Sequence, residues 1–210
     1  MPISNEIISH FAKYPVFTYR DVELYLKGKG KRTGNLPRTI SYLKSSGRLY
    51  TIRKGSYTLK RDSAVAGFAF TPFYYGLLSA LTIRDLWTQD SRPEILTLRK
   101  VRNSRMHIFG DPKNTIFVHH VPAKYFFGFE VIGYAGLKVP VSDPEKTLID
   151  LFYYKVRLSI QDYGGLLKAI DRRKLAEYLK FYDKHTSVSV TNFIKRYKHQ
   201  ADSGEMQSPY

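Results

Sequence analysis

No cysteine occurs among the 210 residues, which excludes disulfides and thiolate metal sites. No apolar run approaches the ~18 residues of a membrane span. The opening residues MPISNEIISHFAKY are polar and amphipathic. They lack the basic segment and apolar core of a secretory leader, so a cytoplasmic protein is expected. Acidic residues are also scarce: 18 Asp and Glu stand against 34 Lys and Arg, for a net charge of +16 and a pI near 9.8. That excess favours a polyanionic partner, nucleic acid before a membrane surface. Apolar residues make up 43% and aromatic ones 15%, mostly Tyr and Phe, which suits packed cores rather than disorder.

The charge is unevenly distributed. Residues 1–61 hold 13 basic against 3 acidic side chains, and residues 155–199 hold 11 against 4. The stretch between them, 62–154, is close to neutral, with 10 against 9. Residues 200–210, QADSGEMQSPY, carry two acids and read as a disordered tail.

Three helical patterns and a hairpin are expected in residues 1–61. Ile3, Ile7, Ile8 and Phe11 share one face of a first helix, which ends by Tyr14-Pro15. Thr18-Tyr19-Arg20-Asp21 has near capping-box spacing, with Asp for the usual Glu or Gln. Phe17 and Val22 stand where a hydrophobic staple would sit, and Val22, Tyr25 and Leu26 face inward. The basic turn KGKGKRTGN, 27–35, leads to a third helix with Pro37 in its first turn, where a missing N–H costs nothing. Leu36, Ile40 and Leu43 line one side of that helix, leaving Arg38, Ser41, Tyr42 and Ser45 on the other. Gly47 suits the position just past the helix end. Residues 48–53 and 56–60 read as strands around a Lys54-Gly55 turn.

Helix, helix, turn, helix and basic hairpin is the order of a winged helix-turn-helix, whose later helix enters the DNA major groove. The candidate DNA-binding residues are Lys29, Lys31, Arg32, Thr33, Asn35, Arg38, Ser41, Tyr42, Ser45, Arg53 and Lys54. Arg38 has the chemistry to pair with guanine O6 and N7. The lysines and arginines of the turn and hairpin would neutralise phosphates, which positions a protein without reading sequence.

Residues 62–199 are expected to form a mixed α+β regulatory domain, so the fold class is α+β. The pattern TPFYYGLLSALTIRDLW, 71–87, reads as one helix opened by Thr71-Pro72. Strands are expected at 94–98, 106–109, 115–121 and 127–132. Ser142-Asp143-Pro144-Glu145 is a helix start of capping-box form, with Ser142 as the cap and acids in the first turn, and Leu148, Leu151 and Phe152 face inward. Three further helices follow, built on Tyr163/Leu166/Leu167/Ile170, Leu175/Tyr178/Leu179/Tyr182 and Val190/Phe193/Ile194/Tyr197. Their outer cations, Lys168, Arg172, Arg173, Lys174, Lys180, Lys195, Arg196 and Lys198, form a candidate second surface for an anionic partner.

A winged helix, then PFYYGLLSAL (72–81), then VPVSDPEKTLIDLF (139–152), resembles the AbiEi-type family of antitoxins and transcriptional regulators. The likeness runs over residues 5–199, and its motifs read as fold determinants rather than catalytic residues. It implies an autorepressor that binds repeats in its own promoter on double-stranded DNA. It also implies a C-terminal domain that antagonises a nucleotidyltransferase-type toxin.

Two other functions remain open on the residues alone. A metal-dependent nuclease needs clustered carboxylates, commonly with a lysine. Asp111-Pro112-Lys113 and Asp143-Pro144-Glu145-Lys146 supply those letters, but the first lies in a turn and the second is explained by capping. His119 and His120 are strand neighbours that point to opposite faces, so no shared metal is expected. No phosphate-binding glycine loop or nucleophile elbow occurs, and neither an enzyme nor a cofactor is expected. The other alternative is an RNA-binding adaptor working through the basic C-terminal helices.

Overall fold

A computed structural model describes residues 2–89 and 91–202. The chain is an α+β protein. Its first elements are α1 (Ile3–Phe11), β1 (Phe17–Thr18), α2 (Tyr19–Gly28) and α3 (Leu36–Ser45), followed by the hairpin β2 (Tyr50–Arg53) and β3 (Ser56–Thr58). The three strands form an antiparallel sheet in the order β1-β3-β2. The Thr18 capping box is complete: its hydroxyl accepts from Asp21 N at 3.2 Å while Asp21 Oδ2 accepts from Thr18 N at 2.7 Å. Gly47 follows α3 with φ +68 and Gly55 closes the hairpin with φ +78, a left-handed backbone that glycine adopts without strain. Ile7, Phe11, Val22, Leu26, Leu36, Ile40 and Leu43 are buried together, as their helical spacing requires, with Phe17 of β1 among them.

The second unit is built on a six-stranded mixed sheet in the order β6-β7-β5-β4-β9-β8. Its strands are β4 (Phe73–Tyr75), β5 (Glu94–Thr97), β6 (Arg105–His107), β7 (Thr115–His120), β8 (Phe129–Tyr134) and β9 (Leu137–Ser142). Alternation along the strands divides the core in two. Phe73, Tyr75, Ile95, Ile116, Val118, Val139 and Val141 face a 3-10 segment, Ser63–Phe70. Tyr74 and Leu96 face the helices on the other side. There α5 (Pro144–Tyr153) is packed by α6 (Gly164–Ala169), α7 (Arg172–Leu179) and α8 (Lys184–Asp202), and α4 (Leu77–Ile83) lies beside it.

Four expectations are corrected. The stretch 71–87 is not one helix: Phe73–Tyr75 is the strand β4, and α4 begins only after Gly76. β4 is a central strand, antiparallel to β5 and parallel to β9, with all three aromatics buried. A short run buried on both faces has no alternation to distinguish it from a helix. Four strands were expected here, and β4 and β9 complete the six. The tail does not begin at residue 200, because α8 runs through Asp202; residues 203–210 lie outside the described residues. The cap of α5 is also Asp143 rather than Ser142, its carboxylate accepting from Lys146 N at 2.8 Å.

The two units are packed against each other along the hairpin. Ile52 is buried among the sheet residues of the second unit, and Phe109 N donates to Thr51 O at 2.8 Å. Arg61 pairs with Asp111 at 3.2 Å and lies over the Tyr50 ring.

Candidate nucleic-acid interface

α3 is fixed from below and free above. Leu36, Ile40 and Leu43 are buried, while Arg38, Ser41, Tyr42 and Ser45 are exposed. Tyr42 keeps 56% of its surface in solvent, and the Arg48 guanidinium lies 5.1 Å from its ring centre. Ser45 spends its hydroxyl proton on Tyr42 O at 3.1 Å, leaving its lone pairs outward. The helix carries no acidic residue. Thr33 and Asn35 lie just before it, and their carbonyls accept from Leu36 N and Thr39 N.

The surrounding cations differ in how free they are. Lys29, Arg32 and Lys54 are exposed. Lys31 is paired with Glu6, whose carboxyl that hydrogen bond holds below its usual range. Arg53 is half-buried, with its guanidinium 5.5 Å from the centre of the Phe70 ring.

Residues absent from the sequence reading join this region. The hairpin side chains Arg53 and Lys54 line a groove of about 780 Å³ together with Lys100, Arg102, Arg105 and His107 of the second unit. Its floor is apolar, formed by Phe70, Val101 and Met106. The signal was present in RKVRNSR, 99–105, which holds four cations and no acid.

The basic C-terminal helices are less uniformly free. Lys168, Arg172, Arg173, Lys180, Lys195, Arg196 and Lys198 are exposed. Lys180 is paired with Glu177 at 2.6 Å. Lys174 is clamped between Asp143 at 3.0 Å and Glu145 at 3.1 Å, and these acids push its pKa up.

The SDPEKTLID motif is spent on the fold. Asp143 caps α5 and accepts from Tyr178 Oη at 2.9 Å, and Glu145 accepts from Asp171 N at 2.6 Å. Lys146 forms a buried ion pair with Asp150, and its ammonium lies 5.3 Å from the Tyr74 ring centre and 5.6 Å from that of Tyr182. Asp150 also accepts from Tyr74 Oη at 2.9 Å. Burial pushes the Asp150 carboxyl up and the Lys146 ammonium down.

The carboxylates weighed for a nuclease are separated. Asp111 follows β6 and Asp143 follows β9, four strand positions away in the sheet, or about 19 Å at ordinary strand spacing. Asp111 holds its own turn through Lys113 N and Asn114. Among the described residues, no group of three or more His, Cys, Asp or Glu side chains could hold a metal ion. His119 stands 3.3 Å from Glu94. No described helix is long and apolar enough to cross a membrane.

No protein-family model matches the chain, and no curated protein does. Among solved structures, the chain is similar to the Rv2827c protein from Mycobacterium tuberculosis. The TM-score is 0.66 at 13% identity, over 100% of this chain and 83% of that one. At that identity the likeness concerns the fold alone.

Proposed function

We propose that this protein is a sequence-specific DNA-binding transcriptional repressor, with residues 1–61 acting as a winged helix-turn-helix. The observation that carries the reading is the outer face of α3: Arg38, Ser41, Tyr42 and Ser45 stand exposed on a helix without acids, beside a basic turn and hairpin. In this reading α3 enters the major groove and Arg38 pairs with a guanine edge. Lys29, Arg32, Arg53 and Lys54 meet phosphates. The segments PFYYGLLSAL and VPVSDPEKTLIDLF, through their resemblance to AbiEi-type proteins, support a regulatory role for residues 62–199. That role is autorepression at repeats in its own promoter and antagonism of a nucleotidyltransferase-type toxin, in the cytoplasm.

Two substitutions test the assignment of roles. Arg38→Ala is expected to cost about 1–3 kcal/mol on the preferred sequence and to relax the choice of base. Lys54→Ala is expected to weaken all duplexes similarly and to lower the salt slope by about one. Competition binding by fluorescence anisotropy reads both. An Arg38→Ala protein with unchanged affinity and unchanged sequence preference contradicts the placement of α3 in the groove.

A further inference from the structure

The groove between the hairpin and residues 100–107 combines three features that favour a single kind of ligand. The first is uncompensated charge. Among the described residues, Lys27, Lys31, Arg61, Arg84, Lys146, Lys174 and Lys180 each have a carboxylate within 4.0 Å. Arg53, Lys54, Lys100, Arg102 and Arg105, which line the groove, have none among those residues. Like charges gathered over an apolar floor repel one another, and an anion laid among them removes that repulsion.

The second feature is preorganisation. The walls come from two units whose relation is set by Phe109 N donating to Thr51 O at 2.8 Å and by Ile52 buried under the sheet. Arg53 is held over Phe70, and residues 105–107 are held by pairing of β6 with β7. Little ordering remains to be done on binding.

The third feature is shape. Small-molecule sites enclose their ligand between mostly apolar walls with a few convergent polar groups. Here Lys100, Arg102, Asn103, Arg105 and His107 are exposed along the rim. An open channel edged by cations fits a polymer that passes through it.

We infer that this groove holds the phosphodiester backbone of the same DNA duplex that α3 engages, so that Lys100, Arg102 and Arg105 extend the contact beyond the hairpin. The inference rests on the DNA-binding reading above. The hairpin is then one wall of a composite site in which the second unit takes part in binding.

The test uses the full chain and the variant Lys100→Gln/Arg102→Gln/Arg105→Gln. A control of equal charge change is Lys124→Gln/Lys138→Gln/Arg157→Gln, whose residues are exposed and do not line the groove. Anisotropy titrations on a duplex of about 30 base pairs, at several salt concentrations, give the slope of log K against log salt. The groove variant is expected to lose roughly 2.7 from the magnitude of that slope, and about a hundredfold in affinity near 0.15 M salt. The control is expected to keep a slope close to that of the parent chain. A parent chain that binds no duplex overturns the DNA reading and this inference together. A parent that binds while the groove variant keeps its full slope overturns the groove alone. So does an equal loss in the control, which would mark a general effect of charge. A groove variant that loses single-stranded RNA but not duplex DNA also overturns it.

Discussion

Lys146→Met is expected to lower the unfolding free energy by about 3–5 kcal/mol, because it strands a buried carboxylate. The Lys146 and Asp150 side chains keep 0% and 2% of their surface in solvent. At that burial solvent has little access to the place the ammonium occupies. Tyr74 Oη donates to Asp150 Oδ2 at 2.9 Å and Tyr182 Oη to Oδ1 at 3.4 Å, but neither supplies positive charge. The wild-type pair already shows the strain of burial, with Asp150 pushed up and Lys146 pushed down from their ordinary values.

The loss should depend on pH. In the variant Asp150 is buried without its cation, so its folded pKa is raised further above the unfolded carboxylate value of about 3.9. A raised folded pKa gives stability that is fully present below the unfolded value and is lost as pH rises to the folded one. The variant should therefore be least impaired near pH 4 and most impaired at neutral pH. Lys146→Met/Asp150→Asn removes both charges, keeps an acceptor for Tyr74, and should recover at least half of the loss. Urea denaturation at pH 4 and pH 7 measures all of this. A loss under about 1 kcal/mol at neutral pH would mean that the pair is not sealed from water.

The second large effect concerns salt. DNA affinity is expected to fall about a thousandfold between 50 and 200 mM salt. Each phosphate contact releases condensed counterions and contributes about −0.9 to the slope, so roughly six contacts give a slope near −5. The cations available for this are Lys29, Arg32, Arg53 and Lys54, with Lys100, Arg102 and Arg105 beside them. Lys31 is expected to contribute less, because Glu6 already compensates its charge. A change of only a few-fold over that range would mean that one or two phosphates are engaged.

Elements with local signals were legible in the sequence. Thr18 and Asp21 announced α2, Pro37 and Gly47 bracketed α3, and Gly55 closed the hairpin. The spacing of Leu36, Ile40 and Leu43 placed Arg38 and Tyr42 outward before any fold was known. β4 was not legible, since Phe73, Tyr74 and Tyr75 are buried on both faces and lack alternation. The Lys146–Asp150 pair has ordinary helix spacing, but its meaning comes from Tyr74, which lies 76 residues from Asp150 in sequence. The groove was hidden by averaging. Residues 62–154 are nearly neutral as a block, yet several of their acids are spent elsewhere: Glu130 on Arg84, Asp150 on Lys146, Asp111 on Arg61, and Asp143 and Glu145 on Lys174. The cations of 99–105 are therefore far less screened than the block charge implies.

The most direct test of the central claim is binding to the DNA immediately upstream of the protein's own gene, against a scrambled duplex of the same length and composition, at two salt concentrations. The account predicts a preference for its own sequence that persists at the higher salt, because base contacts through α3 are less salt-dependent than phosphate contacts. Equal binding to both duplexes, vanishing together as salt rises, would contradict it and reduce the interface to charge alone.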